Sequence, residues 1–243
     1  MLTPEAEVLW EFLKEQPALR GFVLVGGSAL SLRIDHRLSE DLDFLYCDIH
    51  LPKARLARLV EMAAEAGFVF ERNDDPAAWD EFEIAGMDLH LSQQDFLVNG
   101  KVKVTFFCAS SSLAKVIATD PESACRIAEI SELFDSKALV SASRSKTRDW
   151  YDLFILMRDQ GYSIQDYIQA FSKAGVPHNA DTGLDRLTTG MPRLNDEGYE
   201  SLIDSAPTLN EMTDFFRRQR DAYEIARAER AWSIKRSNST DLP

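Results

Sequence analysis

Apolar positions in the first part of the chain alternate between a helical and a strand period, and these changes predict its elements. Behind Thr3-Pro4, apolar residues recur at helical spacing from Ala6 to Leu13, which predicts an N-terminal helix with proline in its first turn. The pattern then predicts a short buried strand, a tight glycine turn, a short helix, a second strand and an amphipathic helix, at residues 22–25, 26–27, 28–34, 41–47 and 52–67.

Alternation at strand period continues through four further segments, at residues 68–72, 80–84, 87–92 and 101–107. The Asn99-Gly100 pair that precedes the last segment is a strong hairpin signal. A helix–strand–helix–strand–helix order followed by such a meander predicts an α+β fold. We expect a mixed β-sheet flanked by helices.

Helical spacing dominates the second half of the chain. Ser163 with Asp166 three residues later forms a capping-box pattern at the start of one predicted helix. The other segments, in order, are a helix from Ser131 to about 141, a helix at 146–160, loops with short helices at 175–207 and a final helix at 208–231. The predicted domains are an α/β core (1–112), a helical C-terminal domain (113–232) and a flexible tail (233–243).

Composition narrows the possible functions. The 243 residues are 45% hydrophobic, enough for a sizeable core, and carry a net charge of −13, which disfavours general binding along a nucleic-acid backbone. Three widely spaced cysteines give no zinc pattern and fit a reducing cytoplasm; Cys47 and Cys108 are predicted to be buried thiols. No signal peptide and no apolar run of membrane-spanning length is present, so we expect a cytoplasmic protein without a membrane partner.

Candidate chemistry concentrates between residues 24 and 46. Asp41 and Asp43 point to the same side of a strand, where two carboxylates repel each other unless a positive charge lies between them. Mg²⁺ with substrate phosphates meets that need. The preceding Gly26-Gly27-Ser28 turn offers backbone N–H groups and a hydroxyl to an anion. A simpler alternative is that Asp41 caps a turn and Asp43 pairs with an arginine of the same segment, Arg37.

The segment GGSALSL…HRLSEDLDF resembles the signature of the AbiEii/AbiGii toxin family, whose members have the nucleotidyltransferase fold. The resemblance implies a nucleotidyltransferase-like mixed sheet, a helical C-terminal half, and Mg²⁺-dependent transfer of NMP from an NTP. It also implies a metal site at Asp41 and Asp43, which would be catalytic. The implied nucleotide-binding residues are Gly26, Gly27, Ser28, Arg37 and Ser39.

A second block, RIAEISELFDSKALVSASRSKTRDWYDLFIL, resembles later motifs of that family. The resemblance implies that Lys137 contacts nucleotide phosphates, with Asp149 nucleotide-binding and both Lys137 and Asp152 catalytic. Each residue also has a structural alternative. Lys137 could be a surface lysine, and Asp149 is favoured near a helix start by the helix dipole. Asp152 in an apolar run needs a partner, for which Lys137 and Arg148 are the candidates.

The sequence departs from this pattern at one position. Polymerase-like nucleotidyltransferases carry a third carboxylate on a neighbouring strand, and here the expected position falls on Thr105. Asp88, in the preceding predicted strand, is an alternative third carboxylate. Two functions therefore stay open: an enzyme that transfers NMP to RNA (such as tRNA) or to a protein, as a toxin with a cognate antitoxin, or a catalytically weakened binding or regulatory protein.

Overall fold

The computed structural model describes residues 1–46 and 48–240, and the side chains of 1–46 and 48–233. Cys47, a predicted buried thiol, lies outside these residues. The described helices are α1 (Pro4–Leu13), α2 (Gly26–Ile34), α3 (Lys53–Glu65), α4 (Pro76–Ile84), α5 (Leu89–Ser92), α6 (Ile130–Ser143), α7 (Thr147–Asp159), α8 (Ile164–Ala174), α9 (Asn179–Thr189) and α10 (Leu209–Thr240). The strands are β1 (Phe22–Val25), β2 (Leu42–Tyr46), β3 (Phe70–Arg72), β4 (Gln93–Val98), β5 (Val102–Cys108) and β6 (Arg126–Ile127).

The described strands form one mixed sheet in the order β3-β4-β5-β2-β1-β6. β1 runs antiparallel to β2 and parallel to β6, and β2 runs parallel to β5. β4 is antiparallel to both β3 and β5. This confirms the predicted class: a mixed sheet with flanking helices, followed by a helical region.

One face of the central strands is aromatic and fully buried. Phe44 on β2 and Phe106 on β5 are paired across the strands, with ring centroids 5.3 Å apart, and Trp10 of α1 lies 6.2 Å from Phe44. Because strand residues alternate between faces, the residues between these aromatics point to the opposite side of the sheet. That opposite face carries Asp43 and Thr105.

The predicted meander is wrong in two segments. Residues 80–84 belong to helix α4, and residues 87–92 form a turn and the short helix α5. Alternation over five or six residues is too short to exclude a helix. Helix α4 is favoured over a strand by its N-terminal cap, Asp75, followed by Pro76. The Asp75 carboxylate accepts a hydrogen bond from the Ala77 amide (3.0 Å). The strand that precedes the hairpin is β4 instead.

The glycine pair also differs from its prediction. Gly26 and Gly27 form the first residues of α2, not a separate tight turn before it. Gly26 has a φ of +73°, so the change of direction occurs within that one residue. The helix start therefore lies directly at the end of β1.

By compactness the chain divides into residues 1–136 and residues 137–243, a division that falls within α6. The predicted boundary at residue 112 stays a prediction. In the second unit, α10 packs on α7, α8 and α9. The capping box predicted at α8 is present, since Ser163 and Asp166 exchange hydrogen bonds with each other's backbone.

α10 extends to Thr240, well past its predicted end at residue 231, and the flexibility predicted for residues 233–243 stays a prediction. No helix among residues 1–46 and 48–240 combines the length and apolar character needed to cross a membrane.

Candidate active site

The junction of β1 and α2 brings a carboxylate against the helix start. Val25, the last residue of β1, lies opposite Asp43 of β2 in the antiparallel register. The Asp43 side chain then reaches Gly26 so closely that a Cβ there would stand 2.6 Å from its Oδ2 atom. Glycine is required at this position both by the positive φ and by this contact.

Gly27 is constrained by a cation. A Cβ at this position would overlap Nη2 of Arg37 and lie 3.3 Å from Oγ of Ser39. Arg37 is 7% exposed, and its Nη1 donates to the carbonyl oxygen of Leu38 (3.1 Å). The first turn of α2 is therefore flanked by the Asp43 carboxylate and the Arg37 guanidinium, which gives it charges of both signs.

Two serines of α2 hold the loop that connects α2 to β2. Ser31 Oγ donates to the carbonyl oxygen of Arg37 (2.9 Å), and the Ser28 and Ser39 hydroxyls are 2.9 Å apart. Ser28 also contacts the carbonyl oxygen of Asp41. The loop carrying Arg37 and Asp41 is thus fixed to the helix, and the Ser28 hydroxyl, predicted to bind triphosphate, makes internal contacts.

Asp41 and Asp43 are both half-buried, one just before β2 and the other within it. Among the described residues no group of three or more His, Cys, Asp or Glu side chains gathers as a metal site. The residues present nevertheless fit Mg²⁺, which binds through one or two carboxylates and completes its shell with substrate phosphates and water. The narrow space between Gly26 and Asp43, closed to any larger residue, is compatible with such a site.

A carboxylate that the sequence did not indicate lies in register with this pair. Asp43 on β2 is opposite Thr105 on β5, and Thr105 is opposite Asp95 on β4. Thr105 Oγ1 donates to Asp95 Oδ1 over 2.7 Å, and Asp95 is 3% exposed. The Asn99-Gly100 hairpin is the sequence feature that indicates this contact. Antiparallel pairing outward from the hairpin places residue 95 opposite residue 105, but the alternation pattern predicts no strand at residues 93–98.

Asp88, the alternative considered for the third carboxylate, lies elsewhere. Its carboxylate caps α5 by accepting from the His90 amide (2.9 Å), and it pairs with Lys53 Nζ over 2.7 Å. It is not part of a strand. The lysine and the helix start account for its charge.

The second compact unit contains a buried charge cluster. Lys137 Nζ lies 2.7 Å from Asp149 Oδ1 and 2.6 Å from Asp152 Oδ2, and all three side chains are at least 93% buried. Arg144 Nε adds a contact to Asp149 Oδ2 (2.8 Å). Lys137, one of the two partners expected for Asp152, forms an ion pair with it, and Lys137 is not a surface residue.

Burial acts to raise the pKa of Asp149, but the charges of Lys137 and Arg144 outweigh it and hold that pKa below its ordinary value. Asp149 is therefore ionised at neutral pH.

Comparison with known proteins agrees with the class that this fold and site suggested. The family model described as "Nucleotidyl transferase AbiEii toxin, Type IV TA system" matches residues 7–233, nearly the whole chain. The chain belongs to this family of nucleotidyltransferase toxins.

Individual relatives are distant. An uncharacterized protein of Aquifex aeolicus (strain VF5) is 24% identical over 203 residues, which cover 83% of this chain and 87% of that protein. A solved structure from H. pylori, described as a provisionally assigned nucleotidyltransferase, is 17% identical, with a TM-score of 0.48 over 92% of this chain and 98% of the other. MenT4, a nucleotidyltransferase toxin of Mycobacterium tuberculosis H37Rv, is 14% identical, with a TM-score of 0.49 and coverage of 81% and 74%.

Proposed function

We propose that the protein is a Mg²⁺-dependent enzyme that transfers NMP from an NTP to an RNA or protein acceptor. In this proposal it acts in the cytoplasm as the toxin of a toxin–antitoxin pair, with a cognate antitoxin protein as its partner. The family match over residues 7–233 supports the reaction class. The observation that carries the site assignment is the close approach of Asp43 Oδ2 to Gly26 at the start of α2.

That approach brings together the two kinds of group that a nucleoside triphosphate needs. Backbone N–H groups at the start of α2 have no partner within the helix and suit an anion. Arg37 beside Gly27 adds a positive charge, while Asp41 and Asp43 would hold the metal. Bound Mg²⁺ would neutralise charge that develops on the phosphate oxygens.

The residues of this chain would then bind and orient the reactants. Gly26, Gly27 and Ser28 would lie along the triphosphate, and Arg37 with Ser39 would fix its position. An acceptor hydroxyl would attack the α-phosphorus opposite the bond to the β-phosphate, and that bond would break. Pyrophosphate would leave, and the proton of the acceptor hydroxyl would pass to solvent water. Positioning and charge neutralisation supply most of the rate in this kind of reaction.

The roles proposed for the second unit are more limited. Lys137 already makes two short ion pairs, with Asp149 and Asp152, and is almost fully buried. A phosphate contact by Lys137 therefore competes with these carboxylates. We keep Lys137, Asp149 and Asp152 as proposed nucleotide-site residues whose ion pairs also stabilise their own unit.

A second function is favoured by one observation, the threonine opposite Asp43. Without a carboxylate at position 105, the same pocket could bind a nucleotide and transfer it very slowly, so that the protein acts through binding. The two functions share the site and differ in turnover.

Calorimetry with each NTP and Mg²⁺, followed by transfer of α-phosphate label to bulk tRNA and to protein, separates the two functions. We expect Asp43→Ala to abolish metal-dependent NTP binding. Asp48→Ala is the matched control, because Asp48 is an exposed carboxylate five residues further on. Unchanged NTP affinity in Asp43→Ala would refute the site, and label transfer absent with all four NTPs would refute the enzyme.

A further inference from the structure

The row Asp43–Thr105–Asp95 becomes more buried from one end to the other. Asp43 is half-buried, Thr105 is 9% exposed and Asp95 is 3% exposed. Neighbouring strands lie about 4.8 Å apart, so Thr105 is one strand from the proposed metal ligand and Asp95 is two strands away. Asp95 is too deep to reach a substrate beside Asp43, whereas Thr105 lies between the two.

The hydrogen bond between Thr105 and Asp95 has a defined direction. The Thr105 hydroxyl donates in its 2.7 Å contact with Asp95 Oδ1, and the carboxyl oxygen accepts. Gln93 Nε2 holds the other oxygen, Asp95 Oδ2, at 2.6 Å. The one proton of the Thr105 hydroxyl is therefore engaged, and what this hydroxyl can offer any further group is a lone pair.

A second set of contacts fixes Asp95 in place. Its backbone amide donates to Asp74 Oδ1 (3.2 Å), and Lys103 Nζ lies 4.0 Å from Asp95 Oδ1. Lys103 is on β5, two residues before Thr105 and therefore on the same face of the sheet. Strand pairing with β5, a hydrogen bond from the Asn73 amide to the Asp95 carbonyl oxygen (3.0 Å) and these polar contacts hold Asp95 from several directions.

We propose that Thr105 receives the hydroxyl of the NMP acceptor and orients it beside Asp43, with Asp95 as a positioning residue that keeps the Thr105 lone pair directed outward. This inference rests on the proposed nucleotidyltransferase function. The acceptor hydroxyl donates its hydrogen bond to Thr105 Oγ1, and its own oxygen lone pair is then free to face the α-phosphorus. A Thr–Asp pair spread over two strands thus serves where a single carboxylate would otherwise stand.

The first test uses variants that preserve shape. Thr105→Val removes the hydroxyl at constant volume, and Thr105→Ser retains it. Asp95→Asn places an amide that can donate a hydrogen bond to Thr105 Oγ1, so that the Thr105 proton instead of its lone pair points outward. With α-labelled NTP, Mg²⁺ and bulk tRNA, we expect kcat to fall about 100-fold in Thr105→Val and in Asp95→Asn, the size of effect that a small misplacement of a reactant causes. Thr105→Ser should stay within a few-fold of the wild type.

Two further readouts separate orientation of the acceptor from structural support. NTP affinity by calorimetry should be unchanged in all three variants, because none of them alters Asp41, Asp43 or the start of α2. Thermal unfolding is measured on each variant. A kcat loss that the thermal stability and NTP affinity do not share supports the proposal; a kcat loss accompanied by an equal loss of NTP affinity contradicts it.

A double variant tests the idea by gain of activity. Thr105→Asp in the Asp95→Asn background moves the carboxylate one strand closer to Asp43, with the new amide as its donor. We expect at least a tenfold recovery over Asp95→Asn alone. A purely structural hydrogen bond predicts that activity recovers only as far as thermal stability does. A double variant that folds and remains as inactive as Asp95→Asn therefore overturns the proposal.

Asp43→Ala, run in parallel, distinguishes the possible failures. If Asp43→Ala is inactive while Thr105→Val and Asp95→Asn keep wild-type kcat, this inference is wrong and the proposed function stands. If the wild type transfers no label, the proposed function fails. If Asp43→Ala transfers as well as the wild type, the proposed site fails, and in either case this inference fails with it.

Discussion

Gly26 shows how one residue without a side chain determines the site. Its φ of +73° turns the chain from β1 into α2, and the missing Cβ lets Asp43 Oδ2 approach the backbone of the helix start. The sequence signalled a glycine turn here, and the structure adds which carboxylate fills the space. Gly27 has the same relation to Arg37 without a positive φ.

A matched pair of glycine variants separates these two requirements. Gly26→Ala and Gly86→Ala both place a Cβ at positive φ (+73° and +67°), and nothing lies within 4 Å of the Cβ at Gly86. Each should lose about 1–2 kcal/mol of unfolding free energy from the backbone strain alone. Only Gly26→Ala should weaken Mg²⁺-dependent NTP binding, as measured by calorimetry; an equal loss of affinity in Gly86→Ala would contradict the Gly26–Asp43 contact as its cause.

Among the elements, strand and helix periodicity predicted β1, β2, β5 and most of the helices. It failed over residues 76–98, where α4, α5 and β4 replace two expected strands. Short alternating segments fit both periods, and the cap at Asp75 was the stronger local signal. This error also concealed Asp95, because a residue can be placed opposite Thr105 only when its strand is known.

For the contact between α6 and α7, the sequence predicts which residues are candidate partners but not which of them meet. Spacing placed Asp149 and Asp152 on one side of a helix, and an apolar surrounding implied a buried partner for Asp152. The contact with Lys137 depends on how α6 and α7 pack, which spacing within one helix does not determine.

Asp149 should make the stability of this helix pair depend on pH. Its pKa is lowered in the folded protein, so its contribution is fully present above the ordinary Asp pKa of about 4 and is lost as the pH falls through the lower folded value. Asp149→Asn should therefore be destabilising by about 3–5 kcal/mol at pH 7, because a buried cluster loses one partner. The difference in unfolding free energy between Asp149→Asn and the wild type should shrink below about pH 4.

Urea unfolding at pH 7 and at pH 3 measures this dependence. Asp214→Asn is the control, because Asp214 is 55% exposed and its pair with Arg217 lies at the surface. Exposed pairs contribute about 0–1 kcal/mol, so this variant should show little change at either pH. A destabilisation of Asp149→Asn that is as large at pH 3 as at pH 7 would show that the effect is steric rather than electrostatic.

For the whole molecule, the net charge of −13 limits how an RNA acceptor could be bound. Binding to phosphates in general requires many lysines and arginines on one surface. The family match assigns the chain to a family of nucleotidyltransferase toxins, and that match does not depend on a basic surface. Recognition of an RNA would have to use a few specific contacts.

Binding to nonspecific duplex DNA should accordingly be weak. We expect fluorescence anisotropy with a labelled random duplex at about 150 mM salt to show weaker binding than is usual for nonspecific DNA binding, whose Kd is about 10⁻⁴–10⁻⁶ M. Micromolar affinity that falls steeply with added salt would reveal a basic surface strong enough to overcome the net charge. The same titration with bulk tRNA tests whether RNA is an exception.

The parallel pairing of β2 with β5 has a consequence for synthesis of the protein. Asp43 and Thr105 lie roughly 60 positions apart in the chain, so their contact is of the non-local kind that forms slowly and late. A nascent chain that ends before β5 carries the glycine signature and both aspartates but lacks the neighbouring strand on which the row depends. The pocket can therefore form only after residue 105 has been synthesised. Until then the edge of β2 that later pairs with β5 is open, and a partner could bind it before the pocket forms.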